Sequence, residues 1–229
     1  MILLELLFPK HCFVCKRLGK YICDECKNNL YILNNDICIY CDRSSYLGLT
    51  HPGCRRKYGI DGCTFLYKYN NYLKTIIKAL KYRLVKDGFE ELMSIAYSPL
   101  RTKLGSLITI LDISPTLSPV PLSNIRKNQR GFNQSEILCR YITGYLGLKN
   151  EEFLIRSKNT MTQAKLKTKK LRYRNLIGAF KLKKGADVKG KIIIIVDDVL
   201  TSGSTVKEAV RVLKRKEALK VFVFALAKG

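Results

Sequence analysis

The chain has few acidic residues, and it lacks any long hydrophobic run. Its 229 residues include 42 lysines and arginines against 18 aspartates and glutamates, which gives a formal net charge of +24. An excess of this size favours polyanionic partners, namely nucleic acid, polyphosphorylated metabolites or an acidic membrane surface. A solvated, lysine-rich surface in a protein of biased composition is the alternative interpretation.

The sequence also lacks a segment that predicts export or membrane insertion. The opening MILLELLF is apolar for eight residues, contains Glu5 and stops at Pro9, so it fits neither a signal peptide nor a spanning helix. We expect a short helix packed on the body there, and a cytoplasmic protein. The motif GxxxxGK[ST] does not occur, which excludes a Walker A phosphate-binding loop.

Candidate metal ligands are abundant near the start of the chain, in four pairs with two residues between the members. Each short gap lets a tight turn aim both ligands at one ion, and two such turns complete a tetrahedron. We therefore expect two structural Zn²⁺ ions, held by a Cys₄ set and a Cys₃His set, although interleaved sets also satisfy the spacing. The eight residues are Cys12, Cys15, Cys23, Cys26, Cys38, Cys41, His51 and Cys54.

Disulfides are the alternative for these cysteines, and the missing secretion signal disfavours them. Cys63 and Cys139 fall outside the spacing and are expected in the core. A stretch this short has too little apolar material for its own core, so bound metal would supply its folding energy. We assign residues 1–57 to a double zinc-ribbon domain.

Residues 58–229 are expected to form a second, larger domain of the α/β class. Residues 58–69 read as a strand, and the apolar spacing after Tyr72 predicts a helix. A second helix is expected from Glu90 to Leu104, and the apolar run 107–113 is expected to be another buried strand. We predict a mostly parallel sheet flanked by helices.

The run KIIIIVDDVLTSGST, residues 191–205, carries the strongest functional pattern in this domain. Its aliphatic residues 192–196 are too few for a membrane span and favour a strand buried on both faces of a parallel sheet. The strand is expected to end at Asp197 and Asp198. A turn at that point would let both carboxylates serve one ligand.

The hydroxyl-rich residues that follow are expected to lead into a helix that buries Val206, Val210 and Leu213. Backbone N–H groups, hydroxyls and the positive end of that helix would form a cradle for a phosphate monoester. Acids beside the cradle would repel bare phosphate, but they suit a ligand with hydroxyls next to its phosphate, such as a ribose 5-phosphate. An ordinary strand-turn-helix with solvated acids is the alternative.

A second informative run, PVPLSNIRKNQRGFNQSEILCRYI, begins at Pro119, where a strand is expected to end. Arg126, Lys127 and Arg130 then cluster in a predicted strand-to-helix loop and suit a second anion, with a solvated basic loop as the alternative. The basic segment 156–180 is expected to be exposed and mobile. It could close over a bound anion or grip a nucleic-acid backbone.

Residues 192–205 resemble the signature with which type I phosphoribosyltransferases bind 5-phosphoribosyl 1-pyrophosphate (PRPP). The resemblance implies that Asp197 and Asp198 bind the ribose 2- and 3-hydroxyls. The basic run would then bind the pyrophosphate, with Mg²⁺. The 5-phosphate would be held by Thr201, Ser202, Gly203, Ser204 and Thr205.

Four features in one order resemble the ComF family of bacterial proteins over nearly the whole chain. They are the paired cysteines, PVPLxxxRxxxRGFNQ, TxxQxxLxxxxxRxxN and VDDVLTSGST. The resemblance implies a double zinc ribbon fused to a type I phosphoribosyltransferase-like domain, although His51 stands where the family usually has cysteine. By position, the pyrophosphate or flexible-loop residues are Arg126, Arg130, Asn133, Gln134, Gln163, Arg172 and Asn175.

The resemblance implies a PRPP-binding factor that handles incoming single-stranded DNA during natural transformation. PRPP, single-stranded DNA and proteins of the competence machinery would be its partners, and its place would be cytoplasmic or peripheral to the membrane uptake machinery. Tyr67, Tyr69 and Tyr82 could stack on bases, although core packing is the simpler role for them. Transfer of ribose 5-phosphate to an unknown acceptor and PRPP sensing without turnover are the alternatives, and no catalytic residue is identified.

Overall fold

The structure of the protein is a computed structural model that describes residues 9–82, 86–158 and 174–229. Five of its strands form a parallel sheet in the order β1-β7-β6-β2-β3, while β4 and β5 pair in a separate antiparallel ribbon. The expected parallel α/β fold is therefore confirmed. The strands are β1 (Gly62–Lys68), β2 (Thr116–Pro119), β3 (Lys149–Asn150), β4 (Leu154–Arg156), β5 (Phe180–Leu182), β6 (Ile192–Leu200) and β7 (Lys220–Lys228).

Helices cover both faces of the sheet. A π-helical turn, Arg101–Gly105, connects α3 to α4, and short 3₁₀ turns occur at Tyr46–Gly48 and Pro52–Cys54. The helices are α1 (Asp24–Lys27), α2 (Asn71–Tyr82), α3 (Lys86–Leu100), α4 (Ser106–Ile110), α5 (Asn124–Arg130), α6 (Gln134–Leu146) and α7 (Ser204–Arg215). Across the described ranges, every helix is too short or too polar to span a bilayer.

The central strand β6 is buried on both faces, as its aliphatic run predicts. Ile194 and Val196 belong to a core cluster with residues of α2, α3 and α6, whereas Ile193 and Ile195 belong to a second cluster with α7. Because successive strand side chains point to opposite faces, one aliphatic run supplies both cores. The sheet is thereby fixed between two helical layers.

The chain reverses its direction of travel across the sheet between β2 and β6. After β2 the chain continues to β3 on one side, and after β6 it continues to β7 on the other. The two strands are neighbours, with Pro119 paired to Val196. In open parallel sheets such a switch point leaves a crevice outside the carboxyl ends of the strands, where ligands bind. Both candidate motifs begin at this crevice.

Two boundary predictions for the middle of the chain are wrong. Residues 107–113 are not a strand: Ser106–Ile110 form α4, followed by a turn. Leu100, Leu104 and Leu107 are all buried, so the burial follows the helical repeat of three to four residues. The helix expected from Glu90 begins earlier, at Lys86.

Two further predictions, both at the crevice, also need correction. Strand β6 does not end at the acids but continues to Leu200. Arg126, Lys127 and Arg130 lie on the short helix α5 instead of a loop, and Ser123 caps this helix by accepting a hydrogen bond from the Arg126 N–H. The basic side chains therefore start from a regular backbone.

The N-terminal region packs directly on the α/β body. Phe13, Ile22 and Leu30 share one core cluster with residues of α2 and α3, and the Ile22 N–H donates to the Glu91 carboxylate at 2.8 Å. The opening helix expected over residues 1–8 lies outside the described residues. The division at residue 57 stays a prediction, since the two regions share a core.

Candidate functional site

A cleft of about 150 Å³ opens where β2 and β6 end, at the switch point of the sheet. Its walls come from α2, α5, α6, β4 and β6, so residues far apart in the chain converge there. The polar side chains that line it are those of Lys81, Arg126, Arg130, Gln134, Ser135, Arg156, Asp197, Asp198 and Thr205.

The paired acids Asp197 and Asp198 both line the cleft although the strand continues through them. The Asp197 carboxylate accepts hydrogen bonds from the Asp198 N–H at 2.9 Å and from the Ser135 hydroxyl at 3.3 Å. The Asp198 carboxylate accepts from the Val199 N–H at 2.7 Å and forms an ion pair with Lys81 at 2.5 Å. Each carboxylate thus folds back onto the following backbone, which brings both to one opening.

The charged side chains in the cleft shift one another's pKa values. Burial and the neighbouring Asp198 together raise the pKa of Asp197 to about 7, against the opposing effect of Lys81. Burial and the charge of Arg126 lower the pKa of Arg156 to about 10, against the attraction of Asp197. Strongly shifted pKa values of this kind concentrate at binding and catalytic sites.

Residues 201–205, which we call the phosphate loop, enclose a smaller cavity of about 40 Å³ beside the cleft. Gly203 adopts φ +65 at the N-cap of α7, a conformation that favours glycine, and its carbonyl accepts from the Lys207 N–H at 2.9 Å. The Ser202 and Ser204 hydroxyls lie 2.8 Å apart. Thr205 lines both cavities, so the acids and the phosphate loop adjoin.

Basic side chains also line the cleft. Arg126 and Arg130 of α5 and Arg156 at the end of β4 line it together. The Arg130 guanidinium donates to the side-chain Oε1 of Gln134 at 3.1 Å. The Gln134 amide nitrogen is buried and has no hydrogen-bond partner among the described residues, so it presents an unused donor in this wall.

The eight predicted zinc ligands form two separate clusters. The first two pairs in the chain form one cluster, and the last two pairs form the other. A tetrahedral zinc with Zn–S bonds of about 2.3 Å places its sulfurs roughly 3.8 Å apart. In each set the donor atoms lie within 4.8 Å of one another, so the geometry fits one ion per set. The first set comprises Cys12, Cys15, Cys23 and Cys26, and the second set Cys38, Cys41, His51 and Cys54.

The histidine of the second set is oriented as a ligand. His51 Nδ1 lies 3.2 Å from the Cys41 sulfur, and Nε2 lies 3.0 Å from the Ser44 carbonyl, to which it donates when Nδ1 binds metal. Backbone and side-chain hydrogen bonds from Arg43 lower the pKa of Cys41 to about 6, which favours its thiolate. Cysteine and histidine in closed sets of four suit structural Zn²⁺, which would contribute folding energy.

Comparison with known families assigns both regions. A model of the phosphoribosyl transferase domain matches residues 114–229, and a model of the double zinc ribbon domain matches residues 3–56. The chain belongs to the phosphoribosyltransferase domain family. The diacid, the phosphate loop and the three arginines all lie within the matched range, whereas Lys81 of the cleft precedes it.

Three relatives match the chain, two of them over about nine tenths of its length. Competence protein F of Haemophilus influenzae is 27% identical over 224 residues, covering 90% of this chain and 96% of the relative. Competence protein ComFC of Bacillus subtilis is 26% identical over 216 residues, covering 91% and 84%. DNA utilization protein YhgH of Escherichia coli K12 is 40% identical over 121 residues, and the chain spans 52% of its length. With the two domains, these relatives confirm the resemblance to the ComF family.

The phosphoribosyltransferase domain brings some of the expected residues into the cleft and leaves others elsewhere. Asn133 is buried beneath the cleft wall, where it caps α6 and donates to the Val120 carbonyl at 3.0 Å, so it supports the loop after β2. Asn175 is half-buried and does not line either cavity. The predictions for Gln163 and Arg172 lie outside the described residues.

Three of the residues that line the cleft are not assigned to a binding site in the sequence analysis. Lys81 does not belong to the apolar pattern that predicts its helix, yet it reaches Asp198 from the last turn of α2. Ser135 and Arg156 enter the cleft from α6 and β4. Local sequence patterns do not predict such contacts, because the contacts depend on how elements that are distant in the chain pack together.

Proposed function

We propose that this protein binds PRPP in the cleft between the ends of β2 and β6. The observation that carries the proposal is the convergence, at one switch point, of a diacid, a hydroxyl-rich loop at a helix N-terminus and three arginines. The phosphate loop would hold the 5-phosphate through backbone N–H groups and hydroxyls, aided by the α7 dipole. Asp197 and Asp198 would accept hydrogen bonds from the ribose hydroxyls.

The position of the acids favours PRPP over a bare phosphate. Asp197 lines both the phosphate-loop cavity and the cleft that Asp198 and the arginines line, and carboxylates there would repel an ion without hydroxyl donors. Arg126, Arg130 and Arg156 suit the oxygens of a pyrophosphate, which guanidinium groups bind with paired hydrogen bonds. Mg²⁺ would be bound through pyrophosphate oxygens and water, as this hard cation prefers.

Transfer of ribose 5-phosphate is the enzymatic form of this proposal. The bond between ribose C1 and the pyrophosphate oxygen would break, a nucleophilic atom of the acceptor would bond to C1, and the acceptor would release its proton to solvent. Positive charge would develop on the ribose during the transfer, and the arginines would stabilise the departing pyrophosphate. Release of pyrophosphate from PRPP over a panel of nucleobases and single-stranded DNA tests this step. Binding without release would indicate a PRPP sensor.

Isothermal titration of PRPP with Mg²⁺ tests the binding itself. The double variant Asp197→Asn and Asp198→Asn should lose at least about 100-fold in affinity, because two hydrogen bonds to charged acceptors are lost at about 1.5–3 kcal/mol each. Asp187→Asn is the matched control, because this exposed aspartate lies outside both cavities. Equal affinity in all three proteins would remove the ribose assignment.

DNA handling is a second candidate function, supported by the names of the relatives and by the net charge of +24. Of the tyrosines considered for stacking, Tyr67 is buried and unavailable, Tyr69 is 38% exposed, and the Tyr82 side chain lies outside the described part.

Salt dependence tests this second candidate. Affinity for single-stranded DNA should fall steeply between low and physiological salt if its phosphates are bound, and a flat response would reject DNA binding. A role beside the membrane uptake machinery, with competence proteins as partners, belongs to this candidate.

A further inference from the structure

The turn that joins two ligands of the second set, residues 38–42, packs against the phosphate loop. We call these residues the second zinc turn. Ile39, which lies between the ligands Cys38 and Cys41, is 8% exposed and shares a core cluster with Leu200 and Val206, the residues that flank the loop. A methyl group built on Gly203 would lie 3.8 Å from the Ile39 Cδ1 atom, in ordinary contact.

Tyr40 extends the same contact to the first turn of α7. Its ring has the Lys207 ammonium 5.4 Å and the Arg56 guanidinium 4.9 Å from its centroid, distances at which cation–π attraction operates. Its hydroxyl accepts a hydrogen bond from the Ile60 N–H at 2.9 Å, which fixes the ring. Lys207 in turn donates its backbone N–H to the Gly203 carbonyl. Tyr40 thus contacts Lys207, the residue whose N–H is hydrogen-bonded to the phosphate loop.

Asp42 anchors the end of the second zinc turn to the sheet. It forms an ion pair with Lys228 of β7, and Lys228 is the register partner of Leu200, the last residue of β6. The next residue, Gly229, donates its N–H to the Leu200 carbonyl at 2.8 Å. Three side chains of the second zinc turn, those of Ile39, Tyr40 and Asp42, therefore contact the loop, its helix and the neighbouring strand β7.

The first set has different neighbours. Phe13, between its first two ligands, packs in the cluster of α2 and α3, and Lys10 forms an ion pair with Asp87 of α3 at 3.1 Å. Both sets are built from pairs of ligands with two residues between the members, but the two sets contact opposite faces of the sheet. This difference provides an internal comparison.

We propose that the second zinc turn is a positioning element for the phosphate loop, so that zinc in the second set raises affinity for the 5-phosphate end of the ligand. Ile39 and Tyr40 are the positioning residues. The reason is physical: a tetrahedral metal fixes the turn, and the fixed turn removes conformational freedom from a loop that must present its N–H groups in one arrangement. The inference rests on the proposed PRPP site.

The test separates the two ends of the ligand by titrating ribose 5-phosphate and pyrophosphate independently. Ile39→Ala keeps all zinc ligands and should lower ribose 5-phosphate affinity about tenfold, equivalent to about 1.4 kcal/mol, while pyrophosphate affinity is unchanged. Leu30→Ala is the matched control, since Leu30 has the same 8% exposure but lies in the opposite core cluster. That control should leave both affinities unchanged.

Loss of metal provides the second arm. Cys41→Ser should reduce the zinc content by one ion per chain and weaken ribose 5-phosphate binding at least as much as Ile39→Ala, whereas Cys15→Ser should lose one ion with a smaller effect on binding. Circular dichroism checks folding, and if Cys41→Ser does not fold, Ile39→Ala decides. Equal ribose 5-phosphate affinity in Ile39→Ala and wild type would overturn the inference, whereas a wild type that binds neither ligand would overturn the PRPP proposal itself.

Discussion

Lys81 of α2 and Asp198 of β6 form an ion pair at the cleft, with the lysine Nζ 2.5 Å from the aspartate Oδ2. Their side chains are 23% and 14% exposed, so the pair is partly desolvated. The lysine also offsets the repulsion between Asp198 and Asp197, and it lowers the pKa of Asp197. One cation thus permits two adjacent carboxylates to face a common opening.

Replacing Lys81 by methionine should destabilise the fold at neutral pH. The change leaves Asp198 partly buried without its partner and close to a second carboxyl, which we expect to cost about 1–3 kcal/mol. Urea unfolding measures the difference. Lys78→Met is the control, because Lys78 is exposed on the same helix, and equal losses in the two variants would contradict the assigned role of the pair.

Asp197 should make stability depend on pH near neutrality. Its pKa of about 7 in the folded protein lies above the ordinary value of 3.8, so the folded state retains a proton that the unfolded state releases. The stability that the protonated Asp197 contributes is fully present below about pH 4 and is lost as pH rises through 7. Between pH 6 and 8 the free energy of unfolding should therefore fall by about 1.4 kcal/mol more in the wild type than in Asp197→Asn.

Urea unfolding at pH 6, 7 and 8 provides the comparison for Asp197. Asp187→Asn serves as the control, because this aspartate is exposed and should follow the wild type. Parallel curves for wild type and Asp197→Asn would show that the carboxyl does not titrate in this range.

Arg156 should contribute to the pyrophosphate side of the cleft. We expect Arg156→Gln to reduce pyrophosphate affinity about tenfold or more, since a charge-assisted hydrogen bond contributes about 1.5–3 kcal/mol. Ribose 5-phosphate affinity should stay the same. The comparison is Lys181→Gln on the neighbouring strand β5, where the lysine is exposed and outside the cleft. If both variants weaken binding equally, general charge and not a specific contact explains the effect.

The purified protein should contain two zinc ions per chain, one for each set. Elemental analysis gives the stoichiometry, and removal by a strong chelator should lower the thermal midpoint because metal contributes folding energy. Cys139→Ala provides a control, since this buried cysteine lies on α6 away from both sets and should leave two ions bound. A stoichiometry of one, or a loss in the Cys139 variant, would contradict the assignment of the ligands.

Local patterns in the sequence predict several elements well. The aliphatic run of β6 and the amphipathic spacing of α7 identify both elements, because each is governed by a periodicity that burial imposes. Sequential grouping of the zinc ligands is the simpler of the groupings that the spacing allows, and the structure has this grouping. The diacid and the phosphate loop can be placed together, as they are adjacent in the chain.

The errors arise where local patterns are ambiguous or contacts are distant. Residues 107–113 contain three isoleucines and favour a strand, but the leucines before them set a helical repeat that buries one side. Lys81 and Arg156 belong to elements separated by many residues from the acids they approach. Lys81 and Arg156 line the cleft because α2 and β4 pack around the switch point.

A structure of the protein crystallised with PRPP and Mg²⁺ tests the central claim most directly. We expect electron density for the 5-phosphate at residues 201–205, for the ribose hydroxyls at Asp197 and Asp198, and for the pyrophosphate near Arg126 and Arg156. Density for the ligand elsewhere, or an empty cleft at saturating PRPP, would contradict the proposed binding site.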